Sequence, residues 1–132
     1  MASKLSLSLF MLVMSGCIVS YVSSQKTIHI VGDSLGWIAP KYTGFYHDWV
    51  KNRKFSVGDQ LLFNYIPGLN TVVQVEKEDY DHCSMKNTLA EYFMGNTIFT
   101  LNKPGEYYFI SSVGRHCEAN QKLKITVTEN NH

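Results

Sequence analysis

The stretch at residues 107–124, YYFISSVGRHCEANQKLK, decides the fold because it joins two strand-like segments through one short polar loop. Residues 106–111 are aromatic and apolar and follow a Pro-Gly turn, which predicts a strand. Residues 122–127 alternate apolar side chains with Lys and Thr, the period of a strand with one buried face. The loop between them carries His116 and Cys117.

Further short apolar segments predict strands at residues 27–31, 60–65, 71–75 and 97–101. In the first of these, TIHIV, we expect Ile28 and Ile30 to point inward and His29 outward. Residues 48–54 and 78–85 predict one-turn helices or loops. At least six short strands separated by Gly, Pro, Asn and Asp are typical of a β-sandwich or a small barrel.

Composition excludes several classes of protein. Of the 132 residues, 45% are hydrophobic, and 12 Lys and Arg nearly cancel 11 Asp and Glu. This balance rules out a disordered chain and a polybasic protein that binds nucleic acid. Near neutrality also means that a partner has to be recognised locally, which favours a neutral polar ligand.

Residues 1–24 predict a secretory signal peptide. Lys4 precedes an apolar run at residues 5–22, and Ser23 and Ser24 provide a small-residue cleavage site. A membrane anchor is the alternative, because the run approaches the length of a bilayer span. Cleavage would leave a domain at residues 25–132 with no stable membrane insertion.

Two cysteines, Cys83 and Cys117, would then enter an oxidising compartment, where a single disulfide is the default expectation.

Recognisable catalytic motifs are absent from the sequence. It contains no phosphate-binding loop, no Gly-x-Ser-x-Gly, no His-Glu-x-x-His and no cysteine pair spaced for zinc. The acidic run at residues 76–81, EKEDYD, is expected to be solvated surface. Four scattered histidines are also expected at the surface rather than as ligands, namely His29, His47, His82 and His132. We therefore predict that the protein is not an enzyme.

Residues 107–124 resemble the copper-binding end of a phytocyanin, with the order strand, short loop, His-Cys, four-residue gap and strand. The resemblance extends to VGDSLGW at 31–37, Asp48-Trp49, FSVGDQLLFNY at 55–65, VVQVEKEDYDHC at 72–83 and GEYYFI at 105–110. Phytocyanins are secreted plant cupredoxins. The resemblance therefore implies an all-β, cupredoxin-like Greek-key β-sandwich with short helical turns in its loops, and it pairs Cys83 with Cys117 in one disulfide.

Copper-binding phytocyanins hold the metal between two histidines, a cysteine thiolate and a weak axial Met or Gln. The resemblance places these four positions at Asn70, Ser111, His116 and Gln121. One histidine and the thiolate are thus missing, and the Ser111 hydroxyl stays protonated near neutral pH. We expect no type 1 copper, no metal ligands and no cofactor.

The same loop also resembles that of early nodulin-like phytocyanins, which lack copper ligands. The motifs that carry this likeness are Ile110-Ser111-Ser112 and Gly114-x-His116-Cys117. The likeness implies a non-catalytic module that is secreted to the extracellular space or associated with the plasma membrane. A cell-wall glycan, a glycoprotein and a receptor ectodomain are the partners to consider. The alternative is a copper-binding electron-transfer protein.

Aromatic residues are dense before the second sheet strand. Tyr42, Phe45 and Tyr46 are either packing residues or exposed rings beside the former copper loops. With His116 and Gln121 they are the candidate partner-binding residues.

Overall fold

The computed structural model describes residues 25–129, so the predicted signal peptide lies outside the described residues. Eight strands are present in this part of the chain: β1 Ile28–Ile30, β2 Phe55–Ser56, β3 Gln60–Phe63, β4 Val72–Val75, β5 Thr88–Tyr92, β6 Thr97–Thr100, β7 Gly105–Ile110 and β8 Lys122–Thr128. Two short helices lie in the connections, α1 Phe45–Lys51 and α2 Lys77–His82, with a 3-10 turn at Asp33–Leu35.

The strands form two sheets. The smaller sheet has the order β1-β3-β6, with β1 parallel to β3 and β6 antiparallel to it. The larger sheet has the order β2-β8-β7-β4-β5, in which only the β2–β8 pair is parallel. The predicted all-β sandwich with short helical turns in its loops is confirmed.

Aromatic side chains fill the space between the two sheets. The Phe109 ring of β7 lies 5.2 Å from the Phe63 ring of β3 and 5.1 Å from the Phe99 ring of β6. The inward residues of β8 complete this core, and they are the apolar ones that the alternation predicted: Leu123, Ile125 and Val127. A core built from alternate residues of both sheets is the usual stabilising arrangement of a sandwich.

The expected orientation of β1 was wrong. His29 is buried with 4% of its surface exposed, whereas Ile28 is 58% exposed. The reason is Asp59, whose Oδ2 lies 2.9 Å from His29 Nε2. This carboxylate also accepts hydrogen bonds from the amides of Thr27 and Ser56. A buried histidine is tolerated here because it has a charged, well-bonded partner.

The pKa of the Asp59 carboxyl reflects the same contacts. Burial raises this pKa, but the hydrogen bonds from His29 and from the amides of Ser56 and Thr27 together outweigh burial, and the net pKa lies below its usual value. The ionised carboxylate is therefore the form that links β1 to the turn before β3.

The acidic run at residues 76–81 is not entirely solvated, contrary to expectation. Asp79 of α2 is fully buried. Its carboxylate accepts hydrogen bonds from Ser84 Oγ at 2.6 Å and from the amides of Lys86 and Asn87. These bonds, with that from Ser84 the largest effect, lower the pKa of Asp79. Asp79 thus organises the loop that follows α2, while Asp81 remains exposed.

Helix α1 begins at Phe45, three residues before the predicted segment, and two strands were not predicted. Strand β2 has only two residues, and β5 is an edge strand whose exposed Leu89 obscures the alternation.

A disulfide joins Cys83 to Cys117, as predicted, with their Cα atoms 5.7 Å apart. Cys83 ends α2 in the left-handed conformation. Cys117 is buried in a small cluster with residues of β4 and β7. The bond therefore attaches the loop that carries His116 to α2.

Within residues 25–129, no helix has the length and apolar character needed to cross a membrane.

We predict that Asp79→Asn destabilises the fold at pH 7, because a neutral amide cannot accept all the hydrogen bonds that the carboxylate accepts. A carboxyl with a lowered folded-state pKa adds stability above its unfolded pKa of about 3.9, and this stability is lost as pH falls through the folded pKa. The urea midpoints of wild type and variant should therefore differ at pH 7 and approach each other as pH falls through the lowered folded-state pKa of Asp79.

Asp81→Asn is the matched control, because Asp81 lies on the same helix but is exposed, and its ion pair is with exposed Lys77. Its effect on the urea midpoint should be small at every pH. Equal effects of the two substitutions would show that the buried carboxylate has no special role.

Candidate functional site

The four positions that the resemblance assigns to copper ligands meet at one end of the sandwich. Strand β7 ends at Ile110 and β8 begins at Lys122, its partner in the ladder, so Ser111 and Gln121 lie side by side. The Ser111 amide donates to the Gln121 carbonyl at 3.1 Å, and the Gln121 amide donates to the His116 carbonyl at 2.9 Å. The loop therefore folds back on itself over a short distance.

Asn70 joins this group from the β3–β4 loop. Gln121 Nε2 donates a hydrogen bond of 2.9 Å to Asn70 Oδ1. Asn70 is 4% exposed and Gln121 is fully buried. Two positions 51 residues apart in the chain are thus joined by one buried side-chain bond.

A second contact beside this bond connects the same two loops. The Ser112 amide donates to Thr71 Oγ1 at 2.8 Å, and the two hydroxyls lie 2.8 Å apart. Ser111 is itself buried, and its Oγ accepts a weak bond of 3.4 Å from the Val113 amide. The serine hydroxyl at the thiolate position is therefore engaged in local loop structure.

Two buried polar atoms at this end have no hydrogen-bond partner among residues 25–129. They are His116 Nδ1 and Gln121 Oε1. An unpaired buried acceptor or donor is unfavourable, and such atoms are typical of sites that take a ligand or an ordered water.

The donor set does not fit a type 1 copper centre. Such a centre needs two imidazoles and a thiolate, whereas these positions supply one imidazole, one hydroxyl and two amides. Among residues 25–129, no cluster of three or more His, Cys, Asp or Glu side chains is placed to hold a metal ion. The disulfide removes Cys117 as a substitute thiolate.

Two of the candidate partner-binding residues are buried, which corrects their prediction. Tyr46 is only 2% exposed, and its hydroxyl donates to the Gly36 carbonyl at 2.7 Å. Burial raises the pKa of Tyr46 to about 12. Gln121 is buried by its contact with Asn70. Both side chains therefore lie in the interior and not on the exposed surface.

The other aromatic candidates are accessible but make their contacts elsewhere. Tyr42 is exposed, and its hydroxyl donates to Asp48 Oδ2 at 3.2 Å. Its ring packs edge-on against that of Phe45, 5.7 Å away. These contacts stay within residues 42–48, so the structure does not join Tyr42 or Phe45 to the four ligand positions. His116 is half-buried and belongs to the site.

An exposed apolar surface near the site was not predicted. It consists of four side chains that we call the apolar rim, Ile66, Leu69, Phe93 and Met94. The loops that carry them touch, since a Cβ on Gly95 would lie 2.9 Å from the Pro67 ring. The segments IPGLN and YFMGN place apolar residues beside turn glycines, and this was the available signal.

Comparisons with known proteins show which family this chain resembles. A family model described as a plastocyanin-like domain matches residues 37–121. "Early nodulin-like protein 14" of Arabidopsis thaliana is 33% identical over 132 residues, which cover 99% of this chain and 72% of that protein. Stellacyanin of Toxicodendron vernicifluum is 35% identical over 104 residues, covering 77% of this chain and 97% of that protein.

A solved structure is also similar. Cucumber stellacyanin with Cu²⁺ at pH 7.0 superposes with a TM-score of 0.74 at 36% identity, and the match covers 82% of this chain and all of that one. The cupredoxin-like sandwich predicted from the sequence is thus confirmed.

We predict that Asn70→Ala lowers the free energy of unfolding by about 1 to 3 kcal/mol, because the buried Gln121 amide loses its partner. Urea unfolding at neutral pH provides the measurement. Asn102→Ala, at an exposed asparagine, is the control and should change stability by less than about 0.5 kcal/mol. Equal stability of the two variants would contradict the role of the buried bond.

Proposed function

We propose that this chain, which belongs to the plastocyanin-like family as a phytocyanin domain of the early nodulin-like type, is a copper-free, non-catalytic binding module. Its place of action is the extracellular space or the plant cell surface, since residues 1–24 predict a secretory signal peptide. The partner is a cell-wall glycan, a glycoprotein or a receptor ectodomain.

The observation that carries this proposal is the buried bond between Gln121 and Asn70. At the end of a cupredoxin where metal ligands converge, two of the four positions bind each other instead. Ser111 at the thiolate position is committed to its loop. Electron transfer requires a rigid metal site whose geometry suits both oxidation states of the metal. These four positions lack the cysteine thiolate that characterises a blue copper site.

A binding role rests on the surface around the same end. The rigid sandwich holds its loops in fixed positions, which is the usual basis of a binding surface. The apolar rim supplies contact area, with Met94 87% exposed, and half-buried His116 supplies a polar group. Such a mixture suits sugar rings or an uncharged protein surface.

The alternative function is copper binding with electron transfer. Two atoms favour it, namely His116 Nδ1 and Gln121 Oε1, because both lie at ligand positions and lack hydrogen-bond partners. One imidazole and one amide oxygen could hold copper only in a form without a thiolate, so no blue colour would result.

We predict that wild-type protein with added Cu²⁺ shows no intense visible band, whereas Asn70→His with Ser111→Cys acquires one. The two substitutions restore two imidazoles and a thiolate on a scaffold that relatives use for copper. Visible absorption and electron paramagnetic resonance of both proteins are the measurements.

The single variant Asn70→His is the control, since it lacks the thiolate and should stay colourless. An intense band in the wild type would overturn the proposal. A folded but colourless double variant would contradict the assignment of the four positions.

We predict that the loop end binds a neutral cell-wall glycan weakly and with little dependence on salt, since apolar and uncharged polar contacts are not screened. Binding to a plant glycan array should fall when Phe93→Ser or His116→Ala is introduced. Leu89→Ser is the matched control, because Leu89 has similar exposure but lies on β5. Glycan binding that is unchanged in the first two variants would show that the site lies elsewhere.

A further inference from the structure

A continuous groove runs beside strand β8, away from the ligand positions. One cleft of about 390 Å³ is lined by α1, by Tyr80 of α2 and by the outward side chains of Lys122, Lys124 and Thr126. A second cleft of about 470 Å³ shares Arg53, Phe55 and Thr126 with the first. We call the two together the β8 groove.

The shortness of β2 leaves the side of β8 open along most of its length. Strand β2 pairs only with Val127 and Thr128, the last two residues of β8. Helix α1 approaches the remainder of β8 but does not pair with it, and a furrow is left between them. The groove therefore follows from the order of the strands in the larger sheet, and loops alone do not form it.

Positive charge is concentrated in this groove although the whole chain is nearly neutral. Lysines on both walls and Arg53 line the first cleft, whose lining has no carboxylate, whereas Glu129 is the one carboxylate that lines the second. Within the described part of the chain, Lys51 and Lys54 have no carboxylate within 4 Å. Lys124 has Glu106 at 3.7 Å, outside the lining. The groove therefore has a locally positive electrostatic potential, although the net charge of the whole chain is close to zero.

Two of the cationic side chains are held in place before any ligand arrives. Arg53 donates to Asp33 at 2.7 Å, and its guanidinium lies 4.4 Å from the centre of the Trp49 ring. Lys122 donates to the Tyr80 carbonyl at 2.9 Å, and its ammonium lies over the Tyr80 ring. Fixed cations lose less side-chain entropy when they bind an anion.

We propose that the β8 groove binds a linear acidic glycan whose sugars carry carboxylates. Arg and Lys side chains bind carboxylates through charge-assisted hydrogen bonds. Outward residues of a strand repeat every 6.6 to 6.8 Å or so, and this repeat places Lys122, Lys124 and Thr126 in a row. Cations in a row suit a ligand with repeated charges, and the hydroxyls of Thr126, Thr128 and Ser56 suit its sugar hydroxyl groups.

This site goes beyond the proposed binding role of the loop end, because its residues belong to the segment from α1 to β2, to α2 and to β8 with its following residue, and not to the ligand loops. Binding there depends on charge and so decreases with salt, whereas binding at the loop end does not. The two proposals can therefore fail separately.

The test measures the binding of short oligogalacturonates by titration calorimetry, with their fully methyl-esterified form as an uncharged counterpart. We expect binding of the acid form only, and we expect salt to weaken it. Lys51→Gln with Lys124→Gln should weaken binding about tenfold, which corresponds to about 1.4 kcal/mol. Lys41→Gln with Lys103→Gln removes the same charge from exposed positions outside the groove and should leave binding unchanged. Phe93→Ser should also leave it unchanged.

Three results would overturn the proposal. They are no binding of the acid form, equal binding of the methyl ester, and equal weakening by the two double variants. Polyglutamate of matched charge is a further arm of the test. Equally tight binding of this peptide would be a fourth result against the proposal, because it would show that the groove recognises charge alone and not an acidic sugar.

Discussion

The antiparallel ladder between β7 and β8 is the constraint on which both binding surfaces depend. Its register pairs Ile110 with Lys122, and this pairing places Ser111 beside Gln121 at one end. The same register turns Leu123 and Ile125 into the core and leaves Lys122 and Lys124 outside. A shift by one residue would exchange the two faces, burying the lysines and exposing the core residues. Pairing along all six residues of β7 opposes such a shift.

Much of the fold could be predicted from the sequence because alternation in β8 and the turns before β3 and β7 are local signals. The orientation of β1 could not be predicted in this way. A period of two shows that His29 and Ile28 face opposite sides, but it does not show which side is buried. That choice depends on Asp59, 30 residues away, and no local pattern indicates this contact. The burial of Asp79 differs, since its partners lie only five to eight residues away in the following loop, but no period of two or 3.6 indicates these contacts either.

The candidate site shows a similar division. Spacing and resemblance identified four positions that the structure brings together, and residue types alone indicated the missing thiolate. The sequence did not show which of these side chains are accessible to a partner. Asn70 and Gln121 are hydrogen-bonding groups, so they appeared suitable for a ligand, but one buried bond joins them in the interior. Polar side chains in a loop do not reveal whether their partner will be a ligand or a neighbour. The exposed surface proved to be more apolar than expected.

The parallel pairing of β2 with β8 also has a consequence for how the chain folds. Phe55 pairs with Val127, so β2 has no partner in the larger sheet until nearly the whole described chain has been made. At ordinary rates of synthesis this delay is about 4 to 14 s. During that time Phe55 and Trp49 lack the β8 side of their core. Contacts so distant in sequence slow folding, and exposed apolar surface promotes aggregation. The core around Phe55 and Trp49 can therefore be completed only after β8 is made.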